Sequence, residues 1–172
     1  MNSETIALIA NIALALSFIV GLVFGIAQVR AAAQDRRERL TLEALRNYQT
    51  REFSELIQFV TSVTMPTTAK ALRALPQSEQ VLFIQFGQQM ESLGLLVAER
   101  FINIDLVDKT LGSLVTIAWE KYKPLFLDIR ENQPDPFLGE YFQWLAERID
   151  ERMRNNPRTP FYQTATRVSG AR

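Results

Sequence analysis

The sequence predicts an all-α protein: one N-terminal transmembrane helix continuing into a cytosolic bundle of about five helices. Three observations predict it. Thr5 to Val29 is an apolar run without a charge, followed at once by a basic segment starting at Arg30. Later segments repeat apolar residues at three- and four-residue steps, the period of a helix buried along one face. No run alternates apolar and polar residues as a half-buried strand would.

As a helix, Thr5–Val29 is about 36 Å long, enough to cross a hydrocarbon core of roughly 30 Å with some tilt. A cleaved signal peptide would show a basic n-region, an apolar stretch of roughly 7–15 residues and a small-residue cleavage site. Here Met1-Asn2-Ser3-Glu4 has no Lys or Arg, the apolar run is longer, and Ala31-Ala32-Ala33 lies behind Arg30. A retained anchor is therefore expected. Lys and Arg beside a span stay cytoplasmic. Arg30, Arg36, Arg37 and Arg39 follow the span and none precedes it, so residues 1–4 are expected outside and the rest in the cytosol. These arginines are candidate contacts to anionic lipid headgroups, about 1 kcal/mol each near the surface. An ordinary stop-transfer flank is the simpler account of them.

Within the span, Ala13, Ser17, Gly21 and Gly25 recur every fourth position and share one helix face. Such a shallow stripe, with its GxxxG step from Gly21 to Gly25, is a candidate helix-association face. Common small-residue composition explains it equally well. Asn11 can hydrogen-bond across such an interface or lie near the outer headgroups.

Residues 30–49 read as a juxtamembrane basic helix, its apolar edge formed by Leu40, Ala44 and Tyr48. Thr50 is the expected N-cap of a helix running to Thr64, buried through Phe53, Leu56, Ile57, Val60 and Val63 and stopped by Met65-Pro66. A short helix spans Thr68 to Leu75, and Ser78 is expected to cap the next one, Glu79 to about Arg100. There Phe83, Phe86, Met90, Leu93 and Val97 mark a packing seam, with Gln85, Gln88, Gln89 and Ser92 opposite. Gly87 and Gly94 each weaken that helix by about 1 kcal/mol relative to Ala, which suggests close helix crossings. An Asp105-capped helix carries Val107, Leu111, Leu114 and Ala118 inward, passes Trp119 and Tyr122, and is expected to bend at Pro124. Gln133-Pro134-Asp135-Pro136 is a loop from which Asp135 starts the last helix, with Leu138, Tyr141, Phe142, Leu145 and Ile149 facing in. The domain thus covers 50–155, and the polar segment 156–172 is expected to be disordered.

Composition narrows the function. Lys plus Arg and Asp plus Glu are equal at 19 each, so no global field favours nucleic acid. There is no Cys, hence no disulfide or thiol chemistry, and no His, which excludes any His-dependent ribonuclease or hydrolase. Three places invite a chemical reading. Glu91 has no carboxylate at i+3 or i+4 and no Glu-x-x-His partner, so a solvated or core-bridging role fits it better than a metal. Trp119-Glu120-Lys121-Tyr122 with Arg130 has the makings of an aromatic–cationic site, although such a Trp is more often a core anchor. Arg36-Arg37-Glu38-Arg39 interleaves acids and suits a solvated helix better than nucleic acid.

Together, Glu91-Ser-Leu-Gly94-Leu-Leu-Val97, Ile104-Asp105, Leu111-Gly112, Trp119-Glu120, Pro124 and Arg130 resemble an uncharacterised bacterial family. Its members are small single-span membrane proteins with a cytosolic helical domain, a domain of unknown function. The resemblance covers roughly Arg30 to Asn155. It implies a bacterial inner (cytoplasmic) membrane location, and it implies that Glu91, Trp119 and Arg130 belong together as a Glu–Arg contact beside the indole. The basic helix ending at Arg46-Asn47 also suggests the helical ribonuclease fold of phage defence, but that family requires a His after its Arg and none is present. The expected protein is a membrane-anchored, non-enzymatic oligomerisation or partner-binding module without cofactor or metal. Its expected partners are the lipid bilayer and a second copy or another membrane protein, with no nucleic acid. The alternative is a multi-copy membrane pore or effector, for example in phage defence, assembled through the small-residue face. An enzyme using only carboxylates ranks last, because no paired-carboxylate spacing is present.

Overall fold

The computed structural model describes residues 2–132 and 135–163, with their side chains except those of residues 4–10 and 37. Among the described residues the chain is all-helical and contains no strand. Helix α1 (Ser3–Arg46) runs 44 residues without a break, about 66 Å. It contains no proline, and an unbroken backbone hydrogen-bond ladder carries the apolar run directly into the domain. Every described side chain from 11 to 40 is exposed, and burial begins at Thr41 and Leu45.

The inward edge at the end of α1 is therefore Thr41, Ala44 and Leu45, continued by Tyr48 just beyond the helix, whereas Leu40 is 38% exposed. A hydroxyl took the place that an apolar pattern would assign to leucine: Thr41 Oγ1 accepts the Asn103 N–H at 3.0 Å. Helix α1 is long and apolar enough to cross a membrane. By length and composition so is α4 (Gln77–Ala98), but that helix lies at the centre of the bundle.

A 3-10 turn, Asn47–Gln49, leads to α2 (Arg51–Ser62), whose first turn Thr50 caps by accepting the Phe53 N–H at 3.2 Å. Lys121 Nζ donates to the carbonyls of Val60 and Thr61 at the other end. Helix α3 (Ala69–Ala74) is capped by Thr68, and Asp128 accepts the Ala69 N–H at 2.8 Å. Helix α4 starts immediately after Pro76, so Ser78 lies inside its first turn and is not the cap. The Pro76 carbonyl accepts from Glu79 and Gln80 instead, and the Gln80 amide reaches back to the carbonyls of Arg73 and Leu75.

Helix α5 (Ile104–Asn132) runs through Pro124 without interruption. Its cap is Asn103, which accepts the Asp105 N–H at 2.8 Å; Asp105 lies two residues further on, inside the first turn, and is not the cap. The last helix, α6 (Glu140–Asn155), begins after the predicted Asp135–Pro136 start. Asp135 accepts the Phe137 N–H and closes only a turn, because Gly139 adopts φ +71 and breaks the path into the helix. Gln133 and Pro134 of the predicted loop lie outside the described residues.

The core gathers on the predicted seam. Phe83, Phe86, Met90 and Leu93 are essentially inaccessible, and Phe83 and Phe86 join Phe53, Tyr122, Phe126 and Phe142 in a connected aromatic network. Of the segment expected to be disordered, 156–172, residues 156–163 are among those described. Arg158 donates to the Asp108 carbonyl at 3.1 Å and lies 3.3 Å from its buried carboxylate, and residues 161–163 form a helical turn. Residues 164–172 lie outside the described residues.

Candidate functional site

Helix α6 enters the bundle without a local cap: Gly139 offers no side chain to its free N–H groups. The first turn of a helix leaves such donors unsatisfied, and burying them unpaired is costly. Glu91 supplies the missing acceptor from α4. Its Oε1 accepts the Tyr141 N–H at 3.2 Å and its Oε2 the Phe142 N–H at 2.8 Å. The negative carboxylate also suits the positive end of the α6 dipole. One turn along α4, Gly94 faces the same segment so closely that a Cβ there would overlap the Tyr141 carbonyl oxygen. Gly139 is confined in the same way: its φ is positive, and a Cβ would stand 2.5 Å from the Phe126 ring.

Arg130 approaches this turn from α5. Its Nε donates to the Leu138 carbonyl at 2.8 Å and its Nη1 to Gln143 Oε1 at 2.7 Å, while Nη2 is buried without a hydrogen-bond partner. Trp119 is buried and meets Phe142 edge-on, with ring centroids 5.3 Å apart. Glu91, Trp119 and Arg130 thus converge on the start of α6, each by its own contact. The implied Glu91–Arg130 pairing is not formed: the carboxylate is committed to two backbone N–H groups and the guanidinium to a carbonyl and an amide.

Beside this turn lies a groove of about 520 Å³ between α3, α4 and α5. Leu72, Ile84, Leu125, Phe126, Ile129 and Leu138 make it mostly apolar, with Glu91, Gln88 and Ser92 on one wall. Its volume is in the range of small-molecule pockets. Tyr122 lines its floor and donates to the Phe83 carbonyl at 3.0 Å; burial raises the pKa of that phenol well above its ordinary value of 10. Lys121 and Tyr122 are therefore spent on backbone carbonyls, and among the described residues no cationic side chain faces Trp119 in an aromatic–cationic site.

A second, polar cleft of about 590 Å³ lies where the start of α5 meets the end of α6. Asp105 pairs with Arg152 there and Asp108 with Arg158. The buried Asp108 was not singled out by sequence reasoning. Its signal was available: an acid on the same face as Leu111, Gly112 and Val115. Among the described residues no group of three or more Asp and Glu gathers as metal ligands would.

The candidates on α1 stand apart from both cavities. Ala13, Ser17, Gly21 and Gly25 are exposed, and a Cβ added at either glycine meets nothing within 4 Å. Arg30, Arg36 and Arg39 are exposed too, while the side chain of Arg37 lies outside those described.

Among known families, the model described as Domain of unknown function (DUF4760) matches residues 15–149. No curated protein and no solved structure matches.

Proposed function

The chain belongs to the DUF4760 family, and from that premise we propose that it is a membrane-anchored, non-enzymatic helical module that works by association. One observation carries the reading. A single uninterrupted helix has residues 11–29 of its apolar run exposed and its last turns built into the bundle core. Exposing that much contiguous apolar surface to water is unfavourable, and a bilayer is the environment that suits it. Because no flexible linker separates the two parts, the orientation of the span is passed mechanically to the bundle.

In this reading the membrane is the bacterial inner membrane, the residues before the span face outward and the bundle faces the cytosol, on the asymmetry of Arg30, Arg36, Arg37 and Arg39. The associating partner is a second copy or another membrane protein, reached through the small-residue face of α1 or the groove beside α6. Committed carboxylates and a chain without His or Cys support a role other than catalysis.

The test is fractionation followed by mass in mild detergent. The full chain should stay with membranes after carbonate extraction, and protease added outside spheroplasts should spare the bundle. Release by carbonate would sink the anchor, and digestion of the bundle would reverse its orientation. A strictly monomeric mass, with no partner retained on crosslinking in membranes, would sink association.

A further inference from the structure

The end of the bundle nearest the apolar part of α1 is identifiable from contacts. Asn103 adjoins Ala33, Gln34 and Glu38 and bonds to Thr41, whereas Tyr48 bonds to the Gln89 carbonyl. Helix α4 therefore runs back along α1, and its C-terminal end points towards the span. Ala33, Gln34 and Glu38 lie about 5–12 Å beyond Arg30 along the helix axis. The start of α5 is at the same end, and so is the end of α6, through the Arg152–Asp105 and Arg158–Asp108 pairs.

At this end the α4–α5 turn presents a phenylalanine to solvent. Phe101 is 54% exposed, yet the turn holding it is firmly built. The Phe101 N–H donates to the Leu96 carbonyl at 2.9 Å and the Arg100 N–H to Val97 at 3.0 Å, the pattern of a Schellman cap. Arg100 occupies the left-handed position of that cap, φ +61, where glycine is usual. The residue after it ordinarily packs back on the helix, but here Ile102 is the buried neighbour and Phe101 points away. Phe161 and Tyr162, 87% and 75% exposed, follow closely on Arg158, which ties their segment to the same end.

We propose that this end of the bundle rests on the bilayer in which α1 is anchored, with Phe101 set in the interfacial layer and Arg100 among the headgroups. The inference builds on the anchor reading above. Aromatic rings favour the interface between headgroups and acyl chains, and a guanidinium on a long stem reaches the phosphates beside them. Continuity with the anchor names the lipid surface as occupant: the turn is held beside the helix that enters it. Charge contributes less, because Arg148, Arg152, Arg154 and Arg158 each pair with an acid.

The chain has no cysteine, so single-cysteine probes are clean. Full-length Phe101→Cys, Phe24→Cys and Val81→Cys would be labelled with an environment-sensitive fluorophore and reconstituted in phosphatidylcholine–phosphatidylglycerol vesicles carrying nitroxide lipids. Val81 is exposed near the far end of α4, about 26 Å along the helix from Ala98. The expected result is quenching at 24 by deep nitroxides, quenching at 101 by shallow ones with a blue shift, and none at 81. Quenching at 24 with no more at 101 than at 81 overturns the docking proposal and leaves the anchor standing. Absence of quenching at 24 removes the anchor reading itself, and the docking proposal with it. All three positions are exposed, and circular dichroism of each labelled chain checks that the fold is kept.

Discussion

Glu91 caps a helix to which it does not belong: its Oε2 accepts the N–H of Phe142, fifty-one residues away, at 2.8 Å. The bond replaces the cap that Gly139 lacks, and it sets a half-buried carboxylate among backbone donors. Glu91→Ala would leave the Tyr141 and Phe142 N–H groups unpaired and should cost about 2 kcal/mol, the scale of a charge-assisted bond or a strong cap. Glu91→Gln keeps an acceptor but loses charge and one oxygen, so its loss should be about half. Denaturant midpoints with unchanged slopes would measure both. If Gln and Ala lose equally, the carboxylate's charge carries the effect and not its geometry.

Gly94 and Gly87 lie two turns apart on α4 and should respond oppositely. Gly94→Ala forces α4 and α6 apart, since its Cβ would overlap the Tyr141 carbonyl; overpacking of rigid backbone should cost about 3 kcal/mol or more. Gly87→Ala meets Phe126 at 3.4 Å, a contact a ring edge can yield to, and gains about 1 kcal/mol of helix propensity. Thermal unfolding of the pair decides. Equal losses would mean that the groove wall at Gly87 is as unyielding as the helix crossing.

The same residues show what a sequence can and cannot display. The seam Phe83, Phe86, Met90, Leu93, Val97 was legible because periodicity records which face is dry. Thr50 was legible as a cap because its partner, Phe53, is three residues on. The start of α6 was misread at Asp135-Pro136, a genuine local signal that closes only a turn. What decides the boundary is non-local: Glu91 waits on another helix, and Phe126 leaves room only for glycine at 139. The convergence of Glu91, Trp119 and Arg130 was legible as a resemblance, but Glu91 and the Arg130 Nε bond to backbone atoms, which carry no residue-type signature. Leu40 reads as an inward position because a hydroxyl at Thr41, bonded across sixty-two residues to Asn103, does not look buried in a pattern.

Phe86→Ala and Trp119→Ala should each cost about 3–5 kcal/mol, the range for truncating a buried aromatic ring. Both rings are buried, stacked or edge-on against Tyr122 and Phe142 respectively. For a domain stable by about 5–15 kcal/mol this is a large fraction. An unchanged melting temperature would mean that the ring is not packed as described.

Alkaline pH should loosen the junction between α1 and the bundle. Burial pushes the Tyr48 phenol up to about 12 from its ordinary 10, because the phenolate is poorly solvated there. A group whose pKa is raised by folding contributes fully below the unfolded value and loses that contribution as pH climbs through the folded one. The window is therefore about pH 10 to 12, and the amount at stake is roughly 3 kcal/mol for a two-unit shift. Tyr48→Phe loses the bond to the Gln89 carbonyl, so it should start less stable at pH 9. Its gap to the wild type should then narrow as pH rises. A constant gap would show that the phenol titrates equally in both states.

The small-residue face of α1 gives the sharpest test of association. Gly21 and Gly25 have open space above them, so nothing within one copy requires glycine there, and each weakens the helix by about 1 kcal/mol relative to alanine. Close approach of another helix is a reason to keep them, because only small residues let two backbones come within contact distance in lipid. Gly21→Ile with Gly25→Ile raises the hydrophobicity of the span, so membrane yield should hold. The β-branched side chains block the approach, so the mass of the complex in mild detergent should fall to that of one chain. A double variant that keeps the wild-type mass would move the contact to the bundle, with the groove beside α6 as the next surface to change.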